Sequence, residues 1–73
     1  LDNNAELAKF ASLLEKELKR LPPQQREVLT LKFWGGLTFA EVAATLEIPQ
    51  GTAASRYRMA LESLRQTLTT MLT

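Results

Sequence analysis

Apolar residues recur along this chain at three- and four-residue spacing, and nowhere do they alternate as they would in a strand. Leu7, Phe10, Leu14 and Leu18 share one face at that spacing. Ala8, Ala11 and Leu13 widen the face, while Lys9, Glu15, Lys16, Lys19 and Arg20 mostly lie outside it. The pattern predicts a first helix over about residues 4–20 with this face as a core stripe. Asn3 is its expected cap, and Glu6 stands three residues on, where a capping box needs a carboxylate.

The step Leu21-Pro22-Pro23 stops that helix and starts another. Proline disfavours helical geometry in the residue before it and suits the first turn of a new helix. A second helix is expected over residues 23–34, ended by Gly35-Gly36, since glycine tolerates the left-handed conformation that closes many helices. Phe33 and Trp34 at its end read first as core, with an apolar surface for a partner helix as the alternative.

Thr38 opens a third helix over residues 38–46, again with Glu41 at the capping-box position. Val42, Ala43 and Leu46 form its buried side, joined by Phe39 or Leu37 at the entry. The turn Glu47-Ile48-Pro49 follows, with Ile48 placed to plug the angle between helices and Pro49 to start the next one. The fourth helix is expected over residues 50–71. At about 100° per residue, Ala53, Tyr57, Ala60, Leu64 and Met71 fall on one face, flanked by Leu61 and Leu68. Gly51, Ser55, Arg58, Met59 and Glu62 fall opposite. The small Ala53 and Ala60 suit a close crossing of the third and fourth helices.

The fold class that follows is all-α: a four-helix domain containing a helix-turn-helix at residues 37–64. At 73 residues the chain is read as a single domain over residues 1–73, and its start at Leu1 suggests a piece of a longer protein. An apolar share of 45% with three Gly and three Pro fits a compact helical unit rather than a disordered one.

Composition removes most chemistry. With no cysteine and no histidine, thiol catalysis, Ser-His-Asp sets and the usual zinc ligand sets have no residues to use. Gly35-Gly36 lacks the spacing and lysine of a phosphate-binding loop, and the eight acidic residues show no metal-loop pattern. No enzyme, no cofactor and no small-molecule substrate is expected. No apolar run is long enough to span a bilayer.

What remains is recognition. A helix-turn-helix presents the exposed start of its second helix to a DNA major groove. There Arg and Gln reach base edges, Ser and Thr reach bases or phosphates, and backbone amides favour a phosphate. Gln50, Thr52, Ser55, Arg56 and Arg58 meet that description, and a solvated helix face is the plain alternative for any one of them. Arg56 flanks the exposed face, which suits a phosphate contact better than a base contact. The net charge of +1 is low for a DNA binder, but beyond Ile48 only Glu62 opposes Arg56, Arg58 and Arg65.

The segments LPPQQREVLTLKFW, GLTFAEVAATLEIPQGT and SRYRMALESLR stand in an order and spacing that make residues 21–68 closely resemble region four of bacterial extracytoplasmic-function (ECF) sigma factors. About two-thirds of the chain takes part in the resemblance. It implies a cytoplasmic domain that reads the minus-35 element of promoter DNA within RNA polymerase holoenzyme. It places the DNA face on Gln50, Thr52, Ala54, Ser55, Arg56, Arg58 and Met59, with Thr38 and Phe39 near the DNA backbone. It further implies a hydrophobic contact with a flap segment of the polymerase β subunit, and often an anti-sigma partner. The family's region two is absent from this chain. Ala54, Met59 and Leu61 stand where the family often has basic residues, so the isolated domain is expected to bind DNA weakly.

Two alternatives stay open at this stage. A LuxR-type regulator domain shares the GLT-like opening and the GT of the recognition helix, but typically continues with a valine-histidine pattern rather than SRYRMALESL. A protein-interaction module with weakened DNA contact would use Met59, Leu61 and Leu68 as an apolar patch.

Overall fold

The computed structural model describes the backbone of residues 2–72 and the side chains of residues 5–70. Among the described residues there are four helices and no strand: α1 Asp2–Arg20, α2 Pro23–Leu29, α3 Phe39–Leu46 and α4 Gln50–Leu72. The expected all-α fold and the expected boundaries hold to within two residues, except at the end of α2.

Local chemistry explains the joints. Pro22 is extended (φ −53°, ψ 142°) and its carbonyl accepts from the amides of Gln25 and Arg26 at 3.0 Å, so Pro23 enters α2 where its missing N–H loses nothing. Arg26 reaches back and donates from Nη1 to the Lys19 carbonyl at 3.2 Å, satisfying one of the acceptors left open at the end of α1. The Asn3 cap expected for α1 lies outside the described side chains.

The expected α-helix over residues 23–34 is instead two pieces. After Leu29 the backbone widens into a π-helical turn, Thr30–Trp34, closed by the Gly35 amide donating to the Thr30 carbonyl at 3.0 Å. Leu37 donates to the Leu31 carbonyl at 3.2 Å. The two glycines do different work. Gly36 has φ +69°, the left-handed value expected of a helix stop. Gly35 has ordinary dihedrals but no room: a Cβ there would lie 2.6 Å from the Leu31 carbonyl oxygen and 2.9 Å from Leu37 Cδ1.

The core has two joined parts. Val28, Val42, Ala43 and Ala53 are buried together, surrounded by Leu31, Leu37, Phe39, Leu46, Ile48 and Tyr57. Leu21, Leu29 and Ala60 form the other part with Leu18, Tyr57 and Leu64. Tyr57 packs against both. Ala53 and Ala60 are fully buried, two turns apart on one face of α4, and their small side chains let α2 and α3 lie close against it. Met71, expected on that face, lies outside the described side chains.

Two core expectations are corrected. Only Leu18 of the α1 stripe packs against the buried clusters, and Leu14 is half-buried; Leu7 is 65% exposed and Phe10 43%. At 19 residues α1 is about 28 Å long and overruns the elements that could cover it. Periodicity shows that a helix has an apolar face, not what meets that face. Phe33 and Trp34, read first as core, are 63% and 52% exposed and meet each other edge-on, ring centroids 5.0 Å apart.

Candidate nucleic-acid interface

The recognition face begins with how α3 is held. Thr38 Oγ1 accepts from the Glu41 amide at 3.1 Å, and Glu41 Oε1 accepts from the Thr38 amide at 2.9 Å. The capping box read from the sequence is therefore complete. The Thr38 amide, then the Thr38 side chain and the charge of Lys32 hold the Glu41 carboxyl below its usual pKa, against a smaller desolvation effect.

The far end of α3 turns sharply. Glu47 takes the left-handed conformation (φ 57°, ψ 47°) and donates its amide to the Ala43 carbonyl, which Ile48 also meets at 3.0 Å. Glycine is the usual residue at such a stop. Ile48 packs against the cluster of Val28, Val42, Ala43 and Ala53, as expected of a plug. Pro49 stands one position earlier than expected, just before α4, with its carbonyl accepting from the Thr52 and Ala53 amides at 3.0 and 3.1 Å.

Buried Ala53 then fixes which side of α4 faces out. Gln50, Arg58 and Met59 are exposed, while Thr52, Ala54, Ser55 and Arg56 are half-buried. None of the side chains of Gln50, Thr52, Ser55, Arg56 and Arg58 makes a hydrogen bond or ion pair among the described residues. Gln50 to Arg58 covers about 12 Å of helix, close to the width of a B-DNA major groove. Further along, Arg65 pairs with Glu62 on the exposed surface, and its hydrogen bonds lower the pKa of that carboxyl.

Thr38 is exposed at the start of α3. Phe39 is half-buried. Its ring meets Tyr57 edge-on at 5.4 Å and 73°, and Lys32 Nζ sits over the ring, 4.8 Å from its centroid. Lys32 was not singled out from the sequence. It lies on a different helix, seven positions before Phe39, and only the glycine turn between them brings its charge to the mouth of α3. No spacing rule would have found it.

On α1, the π turn and the second half of α4, an apolar groove of about 330 Å³ is lined by Phe10, Leu14, Phe33, Trp34, Leu61 and Leu64, among others, with Arg65 at its edge. Among the described residues no group of His, Cys, Asp and Glu could hold a metal ion, and no helix is long and apolar enough to cross a membrane.

A short capped helix, a left-handed stop and a second helix with unengaged donors on its outer side define a helix-turn-helix domain. Comparison with known proteins narrows the class. The profile of sigma-70, region 4, matches residues 11–64. The ECF RNA polymerase sigma factor RpoE of Cereibacter sphaeroides is 45% identical over 53 residues, covering 73% of this chain and 29% of that protein. The RNA polymerase sigma-E factor of Streptomyces avermitilis is 37% identical over 68 residues, covering 93% of this chain and 38% of that protein. The ECF RNA polymerase sigma factor SigK of Mycobacterium tuberculosis is 45% identical over 51 residues, covering 70% and 27%. The chain belongs to the sigma-70 region 4 family. It spans well under half the length of these curated relatives.

Proposed function

We propose that this chain reads the minus-35 element of promoter DNA as the region-four part of a sigma factor acting in the cytoplasm with RNA polymerase. The observation that carries the reading is the outer side of α4, where Gln50, Thr52, Ser55, Arg56 and Arg58 stand unengaged on a helix held by the capped α3. On this reading Gln50 and Arg58 donate to base edges, Thr52 and Ser55 to bases or phosphates, and Arg56 to a phosphate. Thr38 and Lys32, at the mouth of α3, suit the DNA backbone, with Phe39 behind them as support.

The apolar groove suits a second partner. Its lining is almost wholly apolar and includes the exposed Phe33 and Trp34, the residue types that anchor interfaces. A helical segment of the polymerase β flap is the proposed occupant, and an anti-sigma protein would compete for the same surface. With the family shown, the LuxR-type alternative is set aside. A pure interaction module stays as the second reading because the groove gathers the exposed Phe10, Phe33, Trp34 and Leu61 into one apolar surface.

Fluorescence anisotropy with a minus-35 duplex and a scrambled duplex at low salt tests the DNA reading. Ser55→Ala and Arg58→Ala should each reduce the preference for the promoter duplex. If both leave it unchanged while Trp34→Ala abolishes polymerase binding, the interaction module is correct instead. The modest positive charge predicts weak affinity for the isolated chain, and nanomolar binding would contradict that part.

A further inference from the structure

Met59 is 54% exposed on the recognition helix, stands apart from the lining of the apolar groove and packs in neither buried cluster. A single exposed methionine means little by itself. Its position on α4 is what gives it meaning. Thr52, Ser55 and Met59 follow at three and then four residues, so they form one line along the outer side of the helix. Thr52 to Met59 covers about 10 Å, or roughly three base-pair steps of DNA. If the start of α4 enters the groove deepest, short side chains suffice there and a longer one is needed two turns on. Met59 has that length and no hydrogen-bonding group to satisfy when water leaves.

We infer that Met59 is a specificity-determining residue that reads the 5-methyl group of a thymine, about three base pairs from the pair faced by Thr52. Thymine alone among the bases presents a methyl in the major groove, and an apolar side chain is its natural partner. A methionine also fits several approach geometries because its chain is unbranched and flexible. The chain would therefore select thymine where a basic residue at this position would select a phosphate or a guanine. The inference rests on the proposed DNA reading and adds to it the base that one position prefers.

The test uses the chain as it is. A randomised duplex library is enriched with wild type, Met59→Gln and Met59→Arg, each checked for helix content by circular dichroism. Wild type should enrich thymine at one position, and replacing that thymine by uracil should weaken binding about fourfold, the value of one methyl buried. Met59→Gln should bring the thymine-to-uracil ratio to one. Met59→Arg should lose the thymine preference and steepen the salt dependence by about one phosphate contact. A thymine-to-uracil ratio unaffected by both substitutions, with Ser55→Ala and Arg58→Ala still impairing binding, overturns the Met59 role and leaves the DNA reading standing. Indifference of DNA binding to all four substitutions overturns both.

Discussion

The ring of Tyr57 meets the ring of Phe39 edge-on at 5.4 Å, and this contact joins the first turn of α3 to the second turn of α4. It sits between the two helices whose mutual angle a helix-turn-helix must hold, and Tyr57 also touches both buried clusters. Phe39→Ala should therefore lower unfolding free energy by about 2–3 kcal/mol, less than a fully buried phenylalanine because the ring is half-buried. Urea unfolding followed by circular dichroism measures it. Lys32→Met keeps most of the packing on Phe39 but removes the charge, so it should change stability by less than about 1 kcal/mol.

Gly35→Ala and Gly36→Ala separate the two roles in the glycine pair. The first forces a methyl onto the Leu31 carbonyl, so the π turn must shift, at a cost of about 1–3 kcal/mol. The second meets no atom within 4 Å and bears only the left-handed strain, about 1–2 kcal/mol. Thermal melts should rank Gly35→Ala at or below Gly36→Ala. The reverse order would show that the close approach at Gly35 relaxes freely.

Glu47 is the one non-glycine residue with positive φ among the described residues. Glu47→Gly should stabilise the chain by about 0.5–1 kcal/mol, since relief of left-handed strain exceeds the added unfolded-state freedom of glycine. A rise in the melting midpoint checks it. Loss of stability would mean that the Glu47 side chain does more than its exposure suggests.

The capping box gives a pH dependence with a definite sign. Glu41 is ionised more readily in the fold than in an unfolded chain, so its contribution is fully present above the ordinary glutamate pKa. The contribution fades as pH falls through the lowered folded value. Glu41→Gln should flatten that part of the acid limb of the stability curve. Carbon-detected NMR of the Glu41 carboxyl should show a midpoint below the ordinary glutamate value, and an unshifted midpoint would dissolve the argument.

Trp34 separates folding from partner binding. It is half exposed, so Trp34→Ala should alter stability by less than about 1 kcal/mol. Binding of a β-flap peptide should fall by at least about thirtyfold if Trp34 is an interface anchor. Trp34 is the single tryptophan, so its fluorescence reports the same event directly. Emission should shift to shorter wavelength when the peptide covers the ring.

Much of the molecule could be read without coordinates because its signals are local. Pro22-Pro23, the Thr38-Glu41 pair and the Ala53-Ala60 spacing each act within a turn or two, and each appears where the spacing put it. The misses are of another kind. The π turn satisfies its backbone groups as an α-helix would, so residue pattern does not distinguish the two over Thr30–Trp34. Phe33 and Trp34 look like core by type, and Leu7 and Phe10 by period, but type and period do not reveal which elements come near. Lys32 and Phe39 meet only through the tertiary turn. Of the proposed DNA face, exposure was legible for Gln50, Arg58 and Met59, while partial burial of Thr52, Ser55 and Arg56 followed from packing that no spacing records.

Thr67 Oγ1 donates to Glu17 Oε2 at 3.1 Å, linking the first and last helices across fifty positions of chain. Such a distant closure is entropically late, so the ends of α1 and α4 should assemble after the central helices and exchange their amide protons soonest. The chain should thus hold its proposed reading head, the corner of α3 and α4, more firmly than the surrounding clasp. Anything that grips the clasp would tighten the molecule without approaching the head.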